Sequence, residues 1–231
     1  MSRPIMSKAT ALKISRAQFD INKIRFFDFL NYKFRFLFFC WFDLPCYFIS
    51  KGQYNFAARV ACTELSSYAA MYFLARWNFK PTLFVFLLPF AILRLGLMIG
   101  NWGQHALVDD VDPDSDFRSS VTLIDVPSNR FYLNDGYHTS HHLNPLRHWR
   151  DHPHAFLTAK DRYSNEGALV FQIIDYLEIT YRLSTKNYIY LARQLVLIGS
   201  QVGMSQEELA AMLRLKTRKF SEKEIAIELK K

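Results

Sequence analysis

Histidine is missing from the first 104 residues, cysteine is scarce, and no Asn-x-Ser/Thr acceptor occurs anywhere in the chain. Each absence excludes something. The three cysteines, Cys40, Cys46 and Cys62, form no CxxC pair and are odd in number, so a thiolate metal site, a dithiol redox centre and a fully paired disulfide framework are all set aside. Their neighbours are apolar or aromatic, which leads us to expect buried, inert thiols. Residues 1–24 contain no apolar stretch ending in a small-residue cleavage site, so they do not read as a signal peptide. The missing glycosylation acceptor fits a protein that faces mostly the cytosol. No Lys/Arg run is interleaved with a nucleic-acid motif, so no nucleic-acid partner is expected. The net charge of +8 is therefore read as attraction to anionic lipid, or as the basic flanks of membrane helices.

What the chain has in excess is aromatic residues: 16% of the total, with 21 phenylalanines among 231 residues. Its mean hydropathy is nonetheless near neutral, so apolar stretches must alternate with charged ones. Residues 1–25 are polar and basic. The aromatic run from Phe26 to Ile49 carries Lys33, Arg35 and Asp43, which makes it a poor full span; it is expected to be an interfacial helix over 26–50. A second apolar segment, about 57–76, contains Arg59, Glu64 and many small residues that allow close helix packing. Pro81 should push Lys80 out of helical conformation and end that segment in a turn. Residues 82–101 are the strongest membrane signal, since about 20 apolar residues span a bilayer core. Each Leu, Ile, Phe or Val there favours insertion by about 0.3–0.6 kcal/mol, which outweighs a cost of about 3 kcal/mol for Arg94. Glu64 is the expected partner of Arg94. The architecture expected is thus all-α: an interfacial helix, an antiparallel membrane hairpin, a histidine-bearing cap over 101–160 and a soluble helical region over 161–231. Two capping boxes, Ser205-x-x-Glu208 and Ser221-x-x-Glu224, mark helix starts in that last region.

All seven histidines fall between His105 and His154. The densest run is Asp135-Gly-Tyr-His138-Thr-Ser-His141-His142-Leu-Asn144-Pro145, in which Asn134 or Asp135 can cap a short helix and Asn144-Pro145 can stop it. Positions i, i+3 and i+4 share a helix face, so His138, His141 and His142 would aim three imidazoles at one place. Neutral imidazole is a ligand for iron, zinc or copper. Upstream, Asn101 and His105 are also i and i+4, at the exit of the apolar segment. Downstream, His148, His152 and His154 lie beside Pro153; of these, His148 and His152 are kept as accessory candidates on the substrate side or behind the ligands. Asp135, Asp109 and Asp110 are candidate acceptors for the remaining imidazole N–H groups. The acidic stretch from Asp109 to Asp116 lacks an EF-hand's glycine and final glutamate and is expected to be a solvated loop.

Asn-x-x-x-His closing an apolar helix, then His-x-x-His-His about thirty residues later, resembles the second half of the membrane fatty acid desaturase and hydroxylase pattern. The likeness extends over residues 26 to 160 and includes Asn144-Pro145, His148-Trp149 and His152-Pro153. It implies metal ligands at His105, His138, His141 and His142, with Asn101 reaching the metal through water. It further implies a multi-pass protein of the endoplasmic reticulum whose histidine cap faces the cytosol. Two irons, dioxygen and electrons from a cytochrome b-type or ferredoxin-type donor would then act on a lipid acyl chain. The family also draws histidines from two earlier boxes, and residues 1–104 contain none. The expectation is accordingly either an incomplete gene product or a derived, inactive membrane remnant that binds one metal or a full-length relative. A zinc hydrolase is a weaker rival, because Thr139 and Ser140 stand where a general-base carboxylate would be needed.

Overall fold

The computed structural model describes residues 44–218, which divide into two compact units meeting in sequence between Met98 and Ile99. The first eighteen residues of the expected interfacial helix, the basic N-terminal segment, Cys40 and the Ser221 capping box all lie outside the described residues.

The first unit is helical throughout. Helix α1 (Leu44–Ser50) carries Pro45. It ends where Gly52 takes a φ of 68° and the amide of Gln53 donates to the carbonyl of Phe48 at 2.9 Å, a left-handed stop that glycine makes without strain. Helix α2 (Tyr54–Trp77) follows. The break after it falls at Asn78, whose backbone is extended, and not at Lys80: residues 79–82 are already helical. Pro81 sits in the first turn of the new helix, where it sacrifices no hydrogen bond, so the expected disruption one residue before it does not occur.

Helix α3 (Phe79–His105) is the one helix among the described residues long and apolar enough to cross a membrane, and 6% of its most apolar window is buried. Its turn at Leu83–Leu87 is π-helical, with the amide of Leu88 bonded back to the carbonyl of Leu83. Pro89 explains this, since it brings no N–H to the ladder and its ring crowds the carbonyl four residues earlier. Arg59, Glu64 and Arg76 make α2 less apolar than α3, although both expose large hydrophobic side chains, Leu65, Tyr72 and Phe73 on one and Ile92, Leu93 and Leu97 on the other. Arg94 and Glu64 do pair, at 3.4 Å, with Tyr68 also accepting from the guanidinium at 3.4 Å and the Phe90 ring 4.7 Å beneath it. Cys46 and Cys62 are exposed, contrary to the expectation of burial; neither has protein packed over it.

The second unit is mostly helical, with one element that apolar periodicity did not announce. Strands β1 (Val121–Ile124) and β2 (Leu169–Gln172) form a parallel pair in the register Val121 to Leu169. Both are short and almost entirely buried, and so short a mostly apolar run cannot be told from helix by pattern alone. The connection between them carries α4 (Ser128–Phe131), α5 (His138–Leu143), α6 (His152–Thr158) and α7 (Lys160–Asn165). Beyond β2 come α8 (Tyr176–Ser184), α9 (Tyr188–Arg193) and α10 (Gln206–Leu215). Ser205 and Glu208 form the expected capping box at the start of α10. Leu123, Leu169, Phe171, Ile179, Leu183, Leu191, Leu209 and Leu213 are fully buried.

Candidate metal centre

Two elements bring the central imidazoles together. His105 is the last residue of α3, and its neighbourhood is anchored by α8. The hydroxyl of Thr180 donates to the carbonyl of Ile99 at 3.0 Å, and Gly103 lies so close to α8 that a β-carbon there would stand 2.8 Å from the carbonyl oxygen of Tyr176. Helix α5 supplies the others. Its start is uncapped: Tyr137 precedes it, Asn134 is left-handed and donates instead to the carbonyl of Trp149 at 3.1 Å, and Asp135 accepts from the amide of Gln104. The expected cap from Asn134 or Asp135 is thus replaced by tertiary bonds on both sides of the helix. Its end is as expected, because Asn144 is extended ahead of Pro145.

His105, His138 and His142 converge, with one ring nitrogen of each within 4.8 Å of the others. The Nε2 of His138 lies 3.0 Å from Nε2 of His105 and 3.0 Å from Nε2 of His142. Hydrogen bonding cannot satisfy this arrangement, because a ring nitrogen offers one in-plane position, either a proton or a lone pair. A metal ion can satisfy it, since it takes one lone pair from each ring. Nitrogens at about 2.1 Å from a metal and at right angles to each other are roughly 3.0 Å apart. The donor set therefore fits a transition metal. His138 is buried, and burial together with the neighbouring imidazoles lowers its pKa well below the ordinary histidine value, so the ring stays neutral. Its Nδ1 is buried without a hydrogen-bond partner among the described residues. Ligation through Nε2 puts a proton there, at a cost of about 1–3 kcal/mol.

His142 has what His138 lacks. Its Nδ1 lies 3.1 Å from Oδ1 of Asp116, so the carboxylate holds a proton on Nδ1 and leaves the Nε2 lone pair free to bind, the outer support found behind most metal-bound histidines. Asp116 belongs to the loop read from sequence as solvated. That reading is corrected at Asp109, which is buried and paired with Lys216 at 2.6 Å, whereas the Asp116 side chain stays 42% exposed. Asp109 is consequently not an imidazole acceptor.

The family now follows from more than the motif. The family model described as "Fatty acid desaturase" matches residues 15–173, more than half of the chain. The chain belongs to the fatty acid desaturase family. No curated protein and no solved structure matches it.

Members of this family are generally membrane-bound and bind iron, and both properties suit the apolar α3 and the histidine group at its end. The remaining desaturase-like positions are more scattered. His141 stays outside the group of three, its ring centre 5.9 Å from that of His138 and 6.2 Å from that of His152. Burial first and His142 second lower its pKa, while Asp135 opposes them. His152 is buried with Nδ1 2.9 Å from the hydroxyl of Ser140, and its pKa is lowered by burial and then by Arg147. His148 is exposed and accepts from the amide of Arg150 at 3.3 Å. Asn101 stands one turn before His105 on α3, half-buried. Burial raises the pKa of Asp135 against the opposing pull of the Gln104 amide. Tyr176 donates its hydroxyl to the carbonyls of Asp135 and Gly136, each at 3.2 Å, bracing the turn into α5. Sequence reasoning missed Asp116, Gln104 and Tyr176. For Asp116 the signal was a carboxylate in an acidic loop between the two motifs; Gln104 and Tyr176 carried none.

Proposed function

We infer that this chain is a fatty acid desaturase- or hydroxylase-type oxidoreductase that acts on a lipid acyl chain through an iron centre held by histidine. The observation that carries this reading is the meeting of three Nε2 atoms around His138, each pair with His138 at 3.0 Å. His105, His138 and His142 are the proposed ligands of one ion, and His141 is the proposed ligand of a second. Asn101 and Asp135 are proposed to support the site, with His148 and His152 as accessory groups. When bound, iron supplies dioxygen activation and hydrogen removal from an unactivated C–H bond. The protein's own contribution is to keep His138 neutral by burial, to hold a proton on Nδ1 of His142 through Asp116, and to fix the end of α3 against α8. A multi-pass setting in the endoplasmic reticulum, a cytosolic cap and a cytochrome b-type or ferredoxin-type electron donor complete the proposal.

Iron content decides the site. Protein purified in detergent is expected to carry iron and His138→Ala to lose it; iron retained in the variant refutes the ligand assignment. Expression in a yeast strain of known acyl composition, followed by lipid analysis, tests the reaction, with a new double bond or hydroxyl group expected.

A second reading is a catalytically inactive membrane protein that binds one metal or a full-length relative. Two observations favour it: one three-histidine group among the described residues, and no histidine in residues 1–104. One metal per chain with no oxygen uptake on reduction would select this reading, whereas two irons with uptake would select the first.

A further inference from the structure

We propose that Lys216, just beyond α10 and outside the segment matched by the family, is a positioning residue for the metal centre, acting through residues 109–120. The proposal rests on the reading that His105, His138 and His142 bind metal.

Lys216 is buried and donates from Nζ to Oδ2 of Asp109 at 2.6 Å and to the carbonyl of Arg118 at 3.0 Å. Its own carbonyl accepts from the amide of Val108 at 2.9 Å. A single residue therefore closes the loop at both ends. Oδ1 of Asp109 takes up the amides of Val111 and Asp112 at 3.1 and 3.0 Å, and the hydroxyl of Ser119 accepts from the amide of Asp109 at 3.1 Å. These contacts leave the loop little freedom. Asp116, two residues before Arg118, presents its carboxylate to His142. Its carbonyl accepts from the hydroxyl of Ser120, which in turn meets the hydroxyl of Thr139 at 2.8 Å. Thr139 lies in α5 between His138 and His142. The loop is thus held on one side by Lys216 and pinned on the other to the helix that carries two of the three imidazoles.

The consequence concerns the proton on His142. While Asp116 is in place, Nδ1 carries the hydrogen and Nε2 keeps the lone pair that a metal needs. Without the Lys216 side chain the loop loses its ties to the Asp109 carboxylate and the Arg118 carbonyl and keeps only the backbone bond from Val108; Asp116 drifts, and the other tautomer becomes accessible. A buried ion pair alone is weak support for stability; what singles this one out is that its lysine also grips the backbone beside the carboxylate that orients a ligand.

The test uses the full chain in detergent micelles, titrated anaerobically with Co(II) and followed by visible absorption. Lys216→Met and Asp116→Asn are each expected to weaken Co(II) binding about 10–100-fold, the usual loss when an outer partner of a ligand is removed. The double variant is expected to bind no more weakly than the poorer single one, and Lys216→Arg to recover most of the affinity. Leu213→Ala, in the buried face of α10, should lower the melting temperature and leave Co(II) affinity unchanged, which separates positioning from general loosening. Wild-type affinity in folded Lys216→Met, or independent, multiplying losses in the double variant, overturns the proposal. Should Lys216→Met not fold, Lys216→Gln takes its place with the same expectation and the same overturning result. A wild-type chain with no affinity for Co(II) overturns the metal reading itself, and this proposal with it.

Discussion

Neutral rings are what a histidine site must maintain, and at this site burial does much of that. His138, His141 and His152 all have pKa values below the ordinary histidine value, with burial the largest cause in each. The sign for stability follows. In the unfolded chain these rings take protons as pH falls through about 6.5, whereas the folded chain resists protonation until a lower pH. The unfolded state then binds more protons, so stability present above about pH 6.5 is lost on acidification. Metal-free protein is expected to melt at progressively lower temperature from pH 7.5 to pH 5, each ring contributing at most about 1.4 kcal/mol per pH unit. His138→Gln should reduce that slope without abolishing it, because His141 and His152 remain. An unchanged slope in the variant, followed by circular dichroism, would contradict the assignment of His138 as a ring kept neutral by burial.

Among the elements, the approach of α8 to the end of α3 is a tight constraint. A β-carbon at Gly103 would meet the hydroxyl of Thr180 at 2.7 Å and the carbonyl oxygen of Tyr176 at 2.8 Å. The second of these is backbone and cannot rotate away. Gly103→Ala is therefore expected to destabilise the second unit by about 1–3 kcal/mol, the usual range for overpacking, measured by chemical denaturation; Gly100→Ala, three residues earlier with nothing near its β-position, should be neutral or slightly stabilising. Because Tyr176 also braces the turn into α5, Gly103→Ala should weaken metal binding along with the fold. The buried pair of Asp109 and Lys216 makes a comparable demand. Asp109→Ala leaves an uncompensated buried ammonium and should cost about 3–5 kcal/mol.

At the scale of the molecule, the question is where the apolar surface of α3 goes. A helix exposing Phe84, Val85, Ile92, Leu93 and Leu97 has apolar residues around much of its circumference, unlike a soluble helix that buries a single stripe. Insertion into a bilayer would cover them. Alkaline carbonate extraction is expected to leave the chain in the membrane fraction. Leu93→Asp should disfavour insertion of α3 by about 3 kcal/mol, roughly a hundredfold in a glycosylation-reporter assay. Release of the wild-type chain by carbonate would refute the membrane setting.

The sequence by itself determined the helical character of the chain, the apolar α3, the cap of α10, and the motif that places the protein in its family. All of these depend on spacing within a helix or on local chemistry, and both are written in neighbouring residues. Tertiary structure alone decided the rest. Three imidazoles at helical spacing do not reveal which partner each will meet: His138 and His142 converge on His105 while His141 stays outside that group, because α5 packs between the end of α3 and the segment after it, where Ser140 meets His152. The parallel pairing of residues 121–124 with 169–172 joins segments separated by the whole histidine region, and nothing local specifies it. Asp116 and Lys216 became readable only once folding brought them to the two sides of one loop, for a carboxylate's role depends on what lies within about 3 Å of it, and in this loop those neighbours are distant in sequence.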